Sequence, residues 1–188
     1  MSSTVTATDV LRDAYGRIRD TLSGLLHDLD EETLLWRPDR GANSIGWLAW
    51  HLTRVQDDHV AGVGRVHQVW TREGFHDRFG LPYEVEDIGY GQTSAEVGAF
   101  TVADVDLLVA YHDAVHAMTM RVLDELEAAS DGQAREDDQS REDSGYARVI
   151  DASWDPPVTV AVRLVSVIGD ALAHLGQIGY LRGLAQRR

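Results

Sequence analysis

Cysteine and lysine are both absent from this chain of 188 residues, in which all 17 basic residues are arginine. The absence of cysteine excludes disulfide bonds, thiolate metal ligands and a cysteine nucleophile. A metal ion could therefore be held only by histidine nitrogen and carboxylate oxygen. A thiol nucleophile, if the chemistry needs one, must come from outside the protein.

Positive charge is scarce as well. The 31 acidic residues give a formal net charge of -14, and the sequence pI is about 4.8. Phosphate backbones and anionic bilayers repel such a surface, so we expect neither nucleic acid nor membrane partners. We find no run near the ~18 apolar residues that a membrane span needs. Residues 1–10 are polar and lack the apolar core of a signal peptide, so a cytoplasmic location is expected.

The periodicity of the apolar residues predicts four long helices. With 44% hydrophobic residues, the chain can bury the core of one domain spanning residues 1–188. Apolar positions recur at steps of three and four after four start signals, at Thr8, at Asn43 or Ser44, at Thr101 and at 154–157. No segment shows a strong period of two. The predicted fold is therefore all-α, a four-helix bundle.

Two connections between these helices are unusual. Residues 69–100 are rich in glycine, with aromatic residues spread among them, and this length is uncommon for a loop unless it binds something. We interpret the segment as a long crossover between helices 2 and 3 that partly covers one end of the bundle. Residues 131–145 are acidic and of low complexity, which predicts a mobile surface loop.

Three residues predict a metal site between two helices. Asp170 and His174 are four residues apart, so they share one face of the fourth helix. His51 lies among core-type residues of the second helix. Bundles build internal metal sites from facing helices, and three protein ligands leave one coordination position open, as in catalytic zinc sites.

Alternatives to this site remain open. A carboxylate in an apolar run needs a partner, and Asp170 could instead pair with Arg163 or another arginine. His112 and His116 are a second pair four residues apart, in a more polar helix and without a carboxylate on the same face. The second-best ligand set is His51, His116 and His174.

Further residues could surround the metal. Asp58 follows His51 by seven residues on the same face, where it could accept a hydrogen bond from a metal-bound histidine. Gln177 and Tyr180 lie one and two turns beyond His174, where they could line a pocket.

Three other side chains are weaker candidates for the pocket. Trp47 is either a pocket wall or, as tryptophan more often is, part of the core. Arg54 and Arg182 could anchor an anionic substrate, or lie on the surface. No residue stands out as a separate catalytic acid or base.

Several segments resemble a known family. Residues 43–52 (NSIGWLAWHL) resemble the second-helix motif of the DinB-like superfamily, and residues 173–178 (AHLGQI) resemble its fourth-helix motif. The segments 89–91 (GYG) and 154–157 (WDPP) extend the resemblance, which is nearest to the DUF664-type branch. The superfamily includes damage-inducible DinB proteins, mycothiol-dependent maleylpyruvate isomerases and bacillithiol transferases.

The resemblance implies a bundle of the DinB/YfiT-like type that binds zinc or nickel. The ligand on the second helix and the pair on the fourth correspond to His51, Asp170 and His174. Many members have histidine at the position of Asp170, whereas the maleylpyruvate isomerases have glutamate, so a carboxylate is compatible with a site. Similar proteins use the metal to ionise a low-molecular-weight thiol, which attacks an electrophile. The lysine-free composition suits a high-GC actinobacterium, where this thiol would be mycothiol.

Three functions are therefore expected in order of preference. The first is a metal-dependent transferase or isomerase that uses a mycothiol-type thiol and an electrophilic substrate, with zinc ahead of nickel. The second is a non-catalytic metal-binding or stress-response dimer, and the third is a bundle whose site holds no metal. Because bundles with a flat apolar helix face often dimerise, we expect a homodimer.

Overall fold

The computed structural model describes residues 5–133 and 145–188. Residues 134–144, most of the predicted acidic loop at 131–145, lie outside the described residues. The described part of the chain forms the following elements: α1 (Ala7–Leu26), α2 (Glu31–Leu35), α3 (Ile45–Gly64), α4 (Val69–Arg72), α5 (Phe75–Phe79), α6 (Ser94–Gly98), α7 (Val105–Gln133), a 3₁₀ turn (Gly145–Ala147), β1 (Val149–Asp151), β2 (Val158–Thr159) and α8 (Val160–Ala185).

The four long helices α1, α3, α7 and α8 form a bundle, which confirms the all-α prediction. α3 packs against both α7 and α8, and α1 packs against the same two helices from the other side. The predicted crossover between the second and third long helices contains the short helices α4, α5 and α6. Because most residues of α3 are buried, its polar side chains must find partners inside the protein.

The first helix begins earlier than predicted. Thr6 is its N-cap: the Thr6 hydroxyl accepts the backbone N–H of Asp9, and the Asp9 carboxylate accepts the backbone N–H of Thr6. This reciprocal pair is a capping box. The predicted cap, Thr8, is instead buried, and its hydroxyl bonds the hydroxyl of Tyr146 at 2.6 Å.

The other helix starts are partly as predicted. Ser44 caps α3, which confirms one of the two candidates there. α7 starts after Asp104, whose carboxylate accepts the N–H of Leu107, so the predicted start at Thr101 was wrong. α8 is capped by Thr159, and residues 154–157, predicted as its first turn, connect β1 to β2 instead. The two strands are too short to produce a pattern of period two.

A buried ion pair ties the crossover to the bundle. Asp57 and Arg54 have fully buried side chains, with 3.8 Å between the Asp57 Oδ2 and the Arg54 Nη1. The Asp57 carboxylate also accepts the N–H groups of Val69 and Trp70, both at 2.8 Å, and the hydroxyl of Tyr111 at 2.9 Å. Burial raises the pKa of Asp57, and these bonds oppose that rise. Arg54 is thus an internal partner, not the anchor for an anionic substrate that the sequence suggested.

By length and composition alone, α8 could cross a membrane, although a third of its most apolar window is buried inside the protein. Arg163 and Asp170 interrupt its apolar residues, so the helix contains no long uninterrupted apolar run. Core helices of globular proteins pass the same test, and α8 packs against both α1 and α3.

We predict that Asp57→Ala lowers the free energy of unfolding by about 3–5 kcal/mol, because it leaves the Arg54 charge buried without its partner. Urea denaturation measures the loss. The matched control is Asp58→Ala, one residue away, where the side chain is 35% exposed and the loss should be near 1 kcal/mol. Equal losses of stability in the two variants would contradict the role of Asp57 in attaching the crossover to the bundle.

Candidate metal centre

The packing of α3 on α8 brings His51, Asp170 and His174 together. One ligand atom from each residue lies within 4.8 Å of the ligand atoms of the other two. The imidazole rings of His51 and His174 meet edge to face, with centroids 4.9 Å apart. His51 is 6% exposed, whereas the side chains of His174 and Asp170 are 16% and 36% exposed, so the site extends from the core toward the surface.

The Nδ1 atom of His51 is already engaged. It lies 2.5 Å from the carbonyl oxygen of Ile88 in the crossover. A carbonyl oxygen only accepts, so Nδ1 carries the proton and Nε2 keeps its lone pair. The indole of Trp47 stacks on the imidazole at 4.7 Å with an interplanar angle of 17°. Burial lowers the pKa of His51, which favours the neutral ring that a metal requires.

The ring of His174 also has polar partners that orient it, one at each nitrogen. Its Nδ1 bonds the Oε1 of Gln177 at 2.8 Å, and its Nε2 lies 3.5 Å from the Oδ1 of Asp170. The hydrogen bond with the Asp170 carboxylate raises the pKa of His174. Burial alone would raise the pKa of Asp170, but the hydrogen bond and charge of His174 and the charge of His51 outweigh it and lower that pKa.

The second oxygen of Asp170 distinguishes this site from an ordinary ion pair. Among the described residues, the enclosed Oδ2 has no hydrogen-bond partner. The alternative partner, Arg163, lies instead 3.7 Å from the carboxylate of Asp151. A buried, unsatisfied carboxylate oxygen is unfavourable unless a cation or donor reaches it. The donor set of two imidazole nitrogens and one carboxylate oxygen therefore fits a divalent metal such as zinc.

The second-best ligand set is not brought together. In the described part of the chain, the group that could hold an ion contains Asp170 with His51 and His174, not His116. His112, four residues before His116, is buried in the core and bonds the hydroxyl of Thr53 through Nδ1 at 3.0 Å. Its burial lowers its pKa to about 4.

The hydrogen bond predicted for Asp58 is made by another group. The carbonyl of Ile88 occupies the Nδ1 of His51, whereas Asp58 accepts a bond from the Nε2 of Gln68 at 2.8 Å and lies 3.0 Å from the Nδ1 of His59. Asp58 therefore belongs to a neighbouring surface network. A backbone carbonyl from a loop 37 residues away leaves no signal in the sequence.

A groove of about 460 Å³ lies next to Gln177, and none of the three candidate ligands is among the described residues that line it. It is lined by the predicted pocket residues Gln177 and Tyr180, by Leu48 one turn before His51, and by parts of the segment 38–43. Gln177 connects groove and site, because its side chain also bonds His174. Trp47 is 4% exposed, so it forms a wall of the metal site within the core.

Arg182 does not face this groove as an anion anchor. Its Nη1 donates to the carbonyls of Gly24 at 3.0 Å and Leu25 at 2.8 Å, which satisfies the carboxyl end of α1. Arg37 is likewise engaged by backbone carbonyls of the segment 40–42 and of Ser94. Among the described residues, the groove lining includes the carboxylate of Asp39 and no arginine or histidine.

Gly89 allows the crossover to approach His51. Its φ is +88°, and a Cβ atom there would lie 2.7 Å from the Nδ1 of His51 and 3.0 Å from Trp47. The only sequence signal for this contact is the Gly-Tyr-Gly segment at 89–91. Neither Ile88 nor Gly89 was predicted to touch the site.

We predict that Gly89→Ala destabilises the protein more than Gly91→Ala and changes tryptophan fluorescence. Both glycines have positive φ, so either alanine introduces backbone strain of about 1 kcal/mol or more. A Cβ at Gly91 meets nothing within 4 Å, whereas one at Gly89 collides with His51 and Trp47. The collision should add roughly 1–3 kcal/mol. Thermal unfolding and emission spectra measure both effects, and identical behaviour of the two variants would contradict the close approach.

Comparison with known proteins identifies relatives of the whole bundle. The family model described as the DinB superfamily matches residues 14–178. The crystal structure described as that of the conserved protein of locus from Enterococcus faecalis superposes with a TM-score of 0.80 at 28% identity, covering 98% of this chain and 100% of that one. No curated protein matches the chain.

Proposed function

Because the chain belongs to the DinB superfamily, we propose that His51, Asp170 and His174 bind a divalent metal in a cytoplasmic, thiol-dependent transferase or isomerase. The observation that carries the proposal is the enclosed Oδ2 of Asp170, which lacks a partner among the described residues while two imidazoles converge on the same carboxylate. In Asp57, by contrast, both carboxylate oxygens accept bonds from the chain.

The donor set favours zinc, with nickel as the second choice. Two imidazole nitrogens and one carboxylate oxygen match zinc sites of the catalytic type, in which a fourth position stays open. The Asp170 carboxylate supplies the negative charge, and the neutral imidazole of His51 supplies a lone pair fixed by the Ile88 carbonyl. These are the states in which Asp170 and His51 bind a cation, whereas His174, whose pKa the hydrogen bond with Asp170 raises, must lose its proton to bind one.

The nucleophile of this proposal is an external thiol of the mycothiol type, since the chain contains no cysteine. A divalent metal in such a site lowers the pKa of a thiol that it binds. The sulfur then forms a bond to an electrophilic carbon, its proton passes to solvent, and in a transfer reaction the leaving group departs with the bonding electron pair. In an isomerisation, the thiol is expelled again after the bond geometry has changed.

The chain's own residues bind and orient the reactants. Trp47 closes one face of the site to water, while the part-exposed Asp170 and His174 leave a route to solvent. The groove beside Gln177 has room for the remainder of a small substrate. Because none of the described residues that line it is an arginine or histidine, we expect uncharged substrates to bind better than carboxylates.

We predict that wild-type protein purifies with about one divalent metal per chain, or binds one on titration, and that His174→Ala abolishes this binding because it removes one of three ligands. Elemental analysis measures the metal. The control is His27→Ala, a 74% exposed histidine at the end of α1 that pairs with Asp28 and should leave metal content unchanged.

An activity assay distinguishes the proposed enzyme from a non-catalytic metal-binding protein. Metal-loaded protein incubated with mycothiol and a panel of electrophiles should form thioether products or isomerised substrate above background, and His174→Ala should not. Bound metal without turnover would instead favour the non-catalytic metal-binding or stress-response protein. Wild type that binds no metal would refute both.

We also propose that a second copy of the chain covers the outer face of α8. Four large apolar side chains there are more than half exposed, on positions that share one side of the helix: Val162, Val165, Leu172 and Tyr180. Such an exposed stripe is typical of a helix that packs against a partner. A homodimer would bury it without burying charge.

We predict that Leu172→Asp converts a wild-type dimer into a monomer, because it places a charge in the centre of this stripe. Light scattering after size-exclusion chromatography measures the mass. The control, Val10→Asp, changes an equally exposed valine on α1 and should leave the mass unchanged. Monomeric wild type, or dissociation by both substitutions, would reject the α8 interface.

A further inference from the structure

The crossover carries a carboxylate that is not one of the three proposed ligands and yet bonds the groups that orient His51. This residue is Asp87. Its Oδ1 accepts the backbone N–H of Gly89 at 2.7 Å. That N–H belongs to the peptide unit whose carbonyl, that of Ile88, accepts the Nδ1–H of His51. One peptide unit therefore links the carboxylate to the imidazole, with a hydrogen bond at each end.

The other oxygen of Asp87 is linked through hydrogen bonds to Trp47, whose ring stacks on the imidazole of His51. The Oδ2 of Asp87 accepts a bond from the Nε2 of Gln92 at 2.7 Å, and the Oε1 of Gln92 accepts the indole N–H of Trp47 at 2.9 Å. The Trp47 ring lies nearly parallel to the ring of His51. The hydrogen bond through Ile88 restrains the imidazole within its plane, and the Trp47 stack restrains it from above.

The backbone of Asp87 is also fixed by a hydrogen bond from α3. Its backbone carbonyl accepts the Nε of Arg54 at 3.2 Å, and the Arg54 side chain is fully buried beside Asp57. Gly89 completes the arrangement, because only a residue without a Cβ can bring this peptide so close to His51. The carboxylate therefore sits on a rigid support rather than on a free loop.

We infer that Asp87 is the positioning residue of His51, acting through the Ile88–Gly89 peptide and through Gln92 and Trp47. Many metal-binding histidines donate their second N–H directly to a carboxylate, which selects the tautomer and strengthens the ligand. In this protein, the Ile88–Gly89 peptide lies between the carboxylate of Asp87 and the imidazole of His51. A carboxylate bonded to the peptide N–H polarises the peptide, so its carbonyl becomes a stronger acceptor. The inference rests on the proposed function only for its effect on the metal.

The first experiment uses metal-free protein at a pH where the imidazole is neutral. Nitrogen NMR should find His51 of the wild type with its proton on Nδ1 and the Trp47 indole N–H in a hydrogen-bonded position. Asp87→Ala should give a mixture of both tautomers and a shifted indole signal. In Asp87→Asn, the amide cannot accept a bond from the Nε2 of Gln92 while its oxygen faces Gly89, so at least the indole signal should move.

The charge-matched control is Glu86→Gln. It removes the same charge one residue away, from an exposed side chain, and should leave both signals unchanged. Gln92→Ala cuts only the Trp47 connection, so it should move the indole signal and preserve the His51 tautomer. It also serves as the second variant if Asp87→Ala fails to fold. An unchanged tautomer and indole signal in folded Asp87→Ala or Asp87→Asn would overturn the inference.

The second experiment measures zinc affinity by competition with a chelator. Asp87→Ala should bind zinc about 10- to 100-fold more weakly than wild type, the range found when a residue behind a metal ligand is removed. Glu86→Gln should bind like wild type, and equal weakening in both would indicate a general charge effect and count against positioning. If wild type binds no metal, the proposed function fails, and the NMR result alone decides the role of Asp87.

Discussion

The Asp57 carboxylate is the interaction on which the rest of the architecture depends. It lies fully buried on α3 and accepts bonds from the first N–H groups of α4 and from a tyrosine of α7. These bonds attach the beginning of the crossover to two long helices at once. Arg54, its ionic partner, extends the attachment to the carbonyl of Asp87. The segment that follows Asp87 is thereby placed against His51, so a network made for stability also determines the surroundings of the candidate metal centre.

The parts that sequence could predict are those with local causes. Long amphipathic helices repeat their apolar residues every three or four positions, so the four-helix bundle was recognisable from periodicity alone. Helix starts were less accurate because several residues near each start can cap. Thr8 was predicted as the first cap, but Thr6 takes that role through its reciprocal bonds with Asp9, and Thr8 bonds the distant Tyr146 instead. The segment 154–157 looked like a first turn because proline fits there, but the two-residue strand that follows had no detectable pattern.

In the candidate site, too, the residues with a local sequence signal could be predicted and the groups without one could not. Asp170 and His174 share a helix face by spacing, and His51 stood out as a polar residue in an apolar run, so the amino-acid sequence was enough to group the three. Their supporting groups could not be predicted. The partner of the His51 Nδ1 is a backbone carbonyl, which every residue possesses, and the role of Asp87 depends on a loop conformation at Gly89. Arg54 and Arg182 illustrate the opposite error: their charge suggested a substrate anion, but each serves backbone carbonyls inside the fold.

Two aspartates of one bundle show how a structural carboxylate differs from a candidate functional one. Asp57 is more deeply buried than Asp170, yet both of its oxygens have donors from the chain, and it stays within a closed network. Asp170 has one oxygen near His174 and another with no donor among the described residues, although Arg163 lies two turns earlier on the same helix and pairs with Asp151 instead. Asp170 also faces two imidazoles whose Nδ1 atoms are already bonded, and this combination, rather than the unsatisfied oxygen alone, is what the proposal of a metal site depends on.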